Sequence, residues 1–185
     1  MKSYRLEYLN NSHFDILIIG GGITGAGILR DATYRGLKCL LIEKNDFASG
    51  TSSNSGKLVH GGLRYLEYLN FKLVRESCHE RYNLLNIVAP HLVKPTKFIV
   101  PFYKSSRVKR WKMCIGLLLY NFLSMFKKVG PVKLINKNKI PHLSKKNLLN
   151  AISYYDCTVL DSRLVIDTIK SATEYGGRAE NYTSL

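Results

Sequence analysis

Gly20, Gly22 and Gly25 stand in the order glycine-x-glycine-x-x-glycine, and an acid follows at Glu43. Short hydroxyls come next, Thr51, Ser52, Ser53 and Ser55, then Lys57, His60, Arg64 and Tyr65 among the glycines Gly56, Gly61 and Gly62. Each residue type has a chemical use. Gly20 permits a tight turn, Gly22 lets the backbone reach a pyrophosphate, and Gly25 lets a helix pack closely on a strand. The phosphates then meet free N–H groups at the positive end of a helix starting near Ile23. A carboxylate at Glu43 can accept bonds from a ribose, and an acid rather than an arginine there favours FAD or NAD over NADP. The hydroxyls offer short donors and the later glycines let backbone approach a flat ring. Lys57, His60 and Arg64 add positive charge for a reduced ring or a bound phosphate. The plainer alternative for residues 49–67 is a serine-rich surface loop leading into a helix.

These residues act together only if regular elements hold them. Residues 14–20, FDILIIG, form a short apolar run suited to a buried parallel strand. Residues 23–35 read as a helix with Gly36 as its stop, and residues 37–43 as a second buried strand ending at Glu43. Residues 71–88 follow helical spacing through Leu73, Val74, Ser77, Leu84, Leu85 and Val88 before Pro90. Residues 96–103 are strand-like, and Pro101 points to an edge or a strand end. Residues 107–128 read as a helix with basic ends and an apolar middle, which suits either a lipid interface or a protein core. Residues 151–159 suggest a strand. Residues 161–176 read as a helix with Asp161 as N-cap and Gly176 as terminator, and residues 178–185 as the start of a further strand.

At 185 residues and 45% apolar content the chain is long enough to bury a core. Its net charge of +15 is unevenly placed: residues 81–155 hold fifteen Lys or Arg and no Asp or Glu. Such a segment attracts anions, whether phosphorylated substrate, acidic lipid or nucleic acid. A coding bias toward Lys and Asn accounts for the cations but not for the missing acids. Nucleic acid is not expected as a partner, because no recognition helix or base-stacking motif is present. Residues 1–12 are polar and do not read as a signal peptide. The longest apolar stretch, residues 113–126, falls short of the roughly 20 residues a spanning helix needs. Cys39, Cys78, Cys114 and Cys157 are far apart and form no Cys-x-x-Cys pair. No disulfide framework or metal site is expected, and a reducing cytoplasm fits.

Residues 15–81, DILIIGGGITGAGILRDATYRGLKCLLIEKNDFASGTSSNSGKLVHGGLRYLEYLNFKLVRESCHER, resemble the opening of the FAD-dependent, quinone-linked glycerol-3-phosphate dehydrogenases. The string TSS-x-S-x-KL-x-HGGLRYLE is the most distinctive part of that resemblance. It continues through APHLVKPTKFIVPFY, IGLLLYNFL and YYDCTVLDSRLV, from about Asp15 to the end. The resemblance implies an α/β fold, with a glutathione-reductase-like, Rossmann-type FAD/NAD(P)-binding βαβ unit and the start of a substrate domain. It implies FAD as cofactor and oxidation of sn-glycerol 3-phosphate to dihydroxyacetone phosphate, with electrons passing to quinone. It further implies a cytoplasmic chain, peripheral on the inner face of the cytoplasmic membrane. By motif, Gly20, Gly22 and Gly25 would hold the FAD pyrophosphate and Glu43 the adenosine ribose. Thr51, Ser52 and Ser53 would line the flavin side, with Lys57 and His60 near the ring. Arg64 and Tyr65 match substrate-binding positions, Arg64 on the phosphate, where paired donors at fixed geometry suit a guanidinium. No residue is assigned as the catalytic base.

The resemblance covers only the opening part of such enzymes, so a truncated chain is expected, poor at holding FAD and inactive alone unless a complementing C-terminal chain completes it. The expected segments are a lead-in at 1–13, an FAD-binding unit with its flavin-side loop at 14–90, a basic partial substrate or membrane-facing region at 91–160, and a return to the FAD unit at 161–185. Two rival readings stand beside this one. The first is another FAD oxidase of the amino-acid-oxidase type, which Arg64 disfavours because an amine has no phosphate to grip. The second is a non-catalytic, vestigial flavin-binding fragment.

Overall fold

The computed structural model describes residues 13–124, 129–136, 138, 140 and 143–184. Residues 1–12 of the lead-in, the Lys127–Lys128 end of the basic apolar segment and Leu185 lie outside the described residues. The chain divides into two compact units, Met1–Gly56 with Leu160–Leu185, and Lys57–Val159.

In the first unit, β1 (Ile16–Ile19) and β2 (Cys39–Ile42) pair in parallel, and β2 pairs in parallel with β7 (Arg178–Glu180). The order β1-β2-β7 puts β2 in the centre, where all four of its residues are buried. That accounts for its unbroken apolar run, since a central parallel strand has no solvent face. On β1, Ile18 is buried whereas Leu17 and Ile19 are exposed. Helices α1 (Ile23–Tyr34) and α4 (Asp161–Glu174) pack against each other and the sheet. Leu29 and Ala32 meet Ile18, Leu41 and Ala172 in one cluster, and Ala26 meets Ala48, Val165 and Ile169 in another. Truncating a fully buried leucine such as Leu29 to alanine typically costs about 2–5 kcal/mol. Helix α1 stops as its sequence requires. Gly36 takes φ +86° while the Leu37 N–H returns to the Ala32 carbonyl, a glycine-terminated helix end. Asp161, read as an N-cap, is instead the first helical residue after Leu160. Its carboxylate accepts from its neighbour, the Ser162 N–H, and from the Ser55 hydroxyl.

The second unit is an antiparallel sheet. Strand β6 (Leu148–Val159) pairs along its length with β4 (Val93–Tyr103) and on its other side with β3 (Leu58–Val59) and β5 (Lys133–Asn136). β4 is therefore an edge strand, where Pro95 and Pro101 are tolerated because a free edge needs no N–H. A 3-10 turn (Leu63–Tyr68), α2 (Phe71–Asn83) and α3 (Arg110–Leu123) complete the unit, with a π turn at Leu84–Val88. The residue 71–88 helix thus changes pitch at Leu84 rather than running through. Two clusters hold these elements: Val74, Cys78 and Tyr120 in one, and Phe102, Leu117 and Ile152 in the other. The boundary between the two compact units falls at Gly56/Lys57, and within the second unit β3 pairs with β6 and Arg81 of α2 bonds Asp156 of β6.

Candidate functional site

In the first unit the glycine turn lies between β1 and the first turn of α1. Gly25 is packed so closely that a Cβ there would run into the Gly20 carbonyl oxygen and lie 3.3 Å from a Leu41 methyl. This is the close helix–strand approach the motif requires. The Ile23 N–H donates to Ser52 Oγ at 3.0 Å, and a Cβ on Gly22 would lie 3.1 Å from the same oxygen. The Thr24 and Gly25 N–H groups have no acceptor among the described residues. An uncapped helix start with a hydroxyl already at its first N–H suits an anion such as a pyrophosphate.

Glu43 directly follows β2 and turns back on the same loop. One carboxylate oxygen accepts from the Gly21 N–H at 2.7 Å and the other from the Asn45 N–H at 2.8 Å. The Asn45 and Gly21 N–H groups hold its carboxyl below the usual range, against a smaller opposing effect of burial. A carboxylate has about four lone-pair sites, so both oxygens keep capacity for a ribose hydroxyl. Thr51 and Ser53 lie in the same irregular loop, where Ser53 Oγ donates to the Gly50 carbonyl. The residues present therefore fit a dinucleotide. Gly20, Gly22, Gly25, Glu43, Thr51, Ser52 and Ser53 all belong to this unit.

Lys57, His60, Arg64 and Tyr65 belong to the second unit. Lys57 is exposed, has φ +54°, and its carbonyl accepts from the Val159 N–H. His60, Arg64 and Tyr65 line a pocket of about 440 Å³ together with Phe98, Tyr154 and Asp156. Phe98 and Tyr154 face each other across the β4–β6 pair as stacked rings 5.5 Å apart. Arg64 is exposed and makes no ion pair among the described residues, and the His60 and Tyr65 rings lie 6.4 Å apart. Gly62 starts the turn that carries Arg64 and Tyr65. It has φ +74°, and a Cβ there would lie 2.5 Å from the Tyr65 ring, so both conformation and space demand glycine.

Beneath this segment lies a group that the motifs did not reveal. Arg81 and Asp156 form a buried ion pair at 2.5 Å, and the Tyr120 hydroxyl lies within bonding distance of both. Burial pushes the Tyr120 phenol up, so it stays protonated. Two sequence signals pointed here. Arg81 continues the buried stripe Val74–Cys78 at helical spacing, and Asp156 falls in the same alternating row of β6 as the buried Ile152. A charge at a position whose period demands an apolar residue calls for a partner.

A parallel βαβ sheet with an anion-ready helix start and an acid just after the second strand is the arrangement of a dinucleotide-binding unit. The model of the family described as FAD dependent oxidoreductase matches residues 15–185. The chain belongs to that family, whose cofactor is FAD. It is 43% identical over 182 residues to a glycerol-3-phosphate dehydrogenase from Synechocystis sp., covering 96% of this chain and 33% of the relative. It is 46% identical over 164 residues to a D-erythritol 1-phosphate dehydrogenase from Brucella abortus, covering 88% of this chain and 32% of the relative. Among solved structures it resembles the glycerol-3-phosphate dehydrogenase from Bacillus halodurans complexed with FAD, with a TM-score of 0.70 and 30% identity over 100% of this chain and 29% of that one. The chain spans about a third of the length of the curated relatives it matches.

Proposed function

We propose that this chain is the FAD-binding, N-terminal part of an sn-glycerol-3-phosphate dehydrogenase, which makes dihydroxyacetone phosphate and passes electrons to quinone. One observation carries the reading: Arg64, exposed and without a carboxylate partner among the described residues, on a pocket lined by aromatic rings. A planar guanidinium with paired donors suits a phosphate dianion, and it would orient the carbon to be oxidised. Bound FAD supplies the two-electron acceptor. The Gly20–Gly25 turn and Ser52 would hold its pyrophosphate, Glu43 its adenosine ribose, and Thr51 and Ser53 would add short donors. Lys57 and His60 would serve the flavin side, and Tyr65 would line the substrate pocket beside Arg64.

The Brucella abortus relative, named for D-erythritol 1-phosphate, supports a second substrate of the same chemistry. Both are monophosphates of a polyol, and a pocket of about 440 Å³ leaves room for the extra carbon. The deciding experiment is the visible spectrum of the purified chain after incubation with FAD and desalting, followed by anaerobic addition of each polyol phosphate. Retained flavin that bleaches with glycerol 3-phosphate supports the first reading, and bleaching only with erythritol 1-phosphate replaces it. A flavin that neither compound bleaches argues against both for this chain.

A peripheral membrane position belongs to the same proposal. Among the described residues no helix is long and apolar enough to cross a membrane. Helix α3 buries Leu117 and Tyr120 but exposes Trp111, Ile115, Leu118 and Phe122 along one stripe, beside Arg107, Arg110 and Lys112. An apolar stripe flanked by cations suits an acidic lipid surface facing the cytoplasm.

A further inference from the structure

The Arg81–Tyr120–Asp156 group was given no role above, yet each of its contacts converges on one backbone segment. Gly61 is buried, and its N–H donates to Asp156 Oδ1 at 3.2 Å. Its carbonyl accepts from the Cys78 thiol at 3.7 Å. Burial pushes that thiol up, so it keeps the proton it donates. A Cβ on Gly61 would collide with the Tyr120 hydroxyl and lie 2.5 Å from Cys78 Sγ, so the peptide sits directly against both side chains. Both peptide planes of Gly61 are thereby held.

The consequence falls on His60. The Gly61 carbonyl and the Gly62 N–H share one peptide plane and point in opposite directions. With the carbonyl end on Cys78, the N–H end is turned to His60, where it donates to Nδ1 at 3.1 Å. An Nδ1 that accepts carries no proton, so the neutral ring holds its proton on Nε2. Asp156 accepts from Gly61, and Arg81 neutralises Asp156 inside the unit. Tyr120 bridges the two.

We propose that Arg81, Tyr120 and Asp156 are positioning residues, which hold the Gly61 backbone so that His60 turns its Nδ1 to Gly62 and keeps Nε2–H as the donor available to the pocket. This rests on reading that pocket as the substrate side of the site, while the test below needs neither cofactor nor substrate. A buried ion pair kept only for stability can be exchanged for apolar residues of similar volume with little loss. A positioning pair cannot, because the Gly61 N–H loses its acceptor.

The test is long-range proton–nitrogen NMR of the His60 ring in the full 185-residue chain at alkaline pH. The native chain is expected to show a single Nε2–H tautomer. The double variant Arg81→Met/Asp156→Leu, with native-like circular dichroism, is expected to show a mixture of tautomers. Tyr120→Phe leaves the ion pair in place, so it carries the test if the double variant does not fold, and is expected to shift the ring toward the same mixture. An Nδ1–H ring in the native chain overturns the proposal, as does a folded variant with the native pattern. A native chain that shows the pattern, while its retained flavin is bleached by neither polyol phosphate, counts against the proposed activity and leaves the positioning role standing.

Discussion

Arg81 and Asp156 stand 75 positions apart and meet as an ion pair with side chains only 2% and 4% exposed. They bracket the acid-free basic segment. Its first cation is neutralised by the first acid to follow it, and Arg107 within it pairs with Glu67 from outside the segment. Removing one partner of such a pair leaves an uncompensated buried charge, typically worth about 3–5 kcal/mol. Arg81→Met is therefore expected to lower stability by about that amount, and Arg81→Met/Asp156→Leu by less, read from urea midpoints at constant slope.

Gly25→Ala places a methyl against the Gly20 carbonyl oxygen. The helix start must then move off the strand, at a cost of about 1–3 kcal/mol for a single overpacked group. FAD retained after desalting is expected to fall at least severalfold, whereas Gly27→Ala, in open space on the same helix, leaves it unchanged.

Glu43 supplies a pH dependence with a definite sign. The Asn45 and Gly21 N–H groups depress its folded pKa. Its contribution is therefore present above the ordinary glutamate value and is lost as pH falls through the folded value. Thermal unfolding followed from neutral to acidic pH is expected to show a loss of stability that Glu43→Gln reduces. An unchanged acid limb in that variant would assign the loss to other carboxylates.

Arg64→Ala removes the charge-assisted bonds proposed for the phosphate, worth about 1.5–3 kcal/mol. Affinity for glycerol 3-phosphate is expected to fall roughly 10–150-fold on that basis, with FAD retention intact. Titration calorimetry on the FAD-loaded protein checks it. Arg64→Lys should recover the charge but not the paired geometry.

The exposed stripe of α3 makes the membrane proposal measurable. Leu118→Glu and Phe122→Glu together are expected to weaken sedimentation with vesicles rich in phosphatidylserine, while circular dichroism stays unchanged. Binding of the native chain should also fall with salt, because the cationic part of the attraction is screened. Equal sedimentation of the native and substituted chains would remove the helix from the reading.

Much of the first unit was legible before any coordinates. The residue 14–20 run, the glycine turn, Gly36 and the residue 37–43 run each signal locally, and β1, α1 and β2 appear where they point. The α3 segment was legible as a helix but not in its orientation, since apolar residues occupy most of its circumference. Packing against Phe102 and Ile152 selected Leu117 for the interior and left Leu118 outside. Asp161 misled because an acid before an apolar run reads as a cap, whereas Leu160 takes that position and Asp161 spends one oxygen on Ser55.

By itself the sequence determined the kind of backbone each segment could adopt, because helix and strand periods, glycine turns and proline breaks act over a few residues. It also determined the chemical types available for a nucleotide and a phosphate. Only the tertiary structure decided that Arg81 reaches Asp156, that Asp156 and Cys78 grip opposite ends of Gly61, and that His60 then turns Nδ1 toward Gly62. Those contacts join α2, β6 and the loop after β3. No local period encodes a pairing across such separations, which emerges only when burial forces each charge and each peptide group to find a partner.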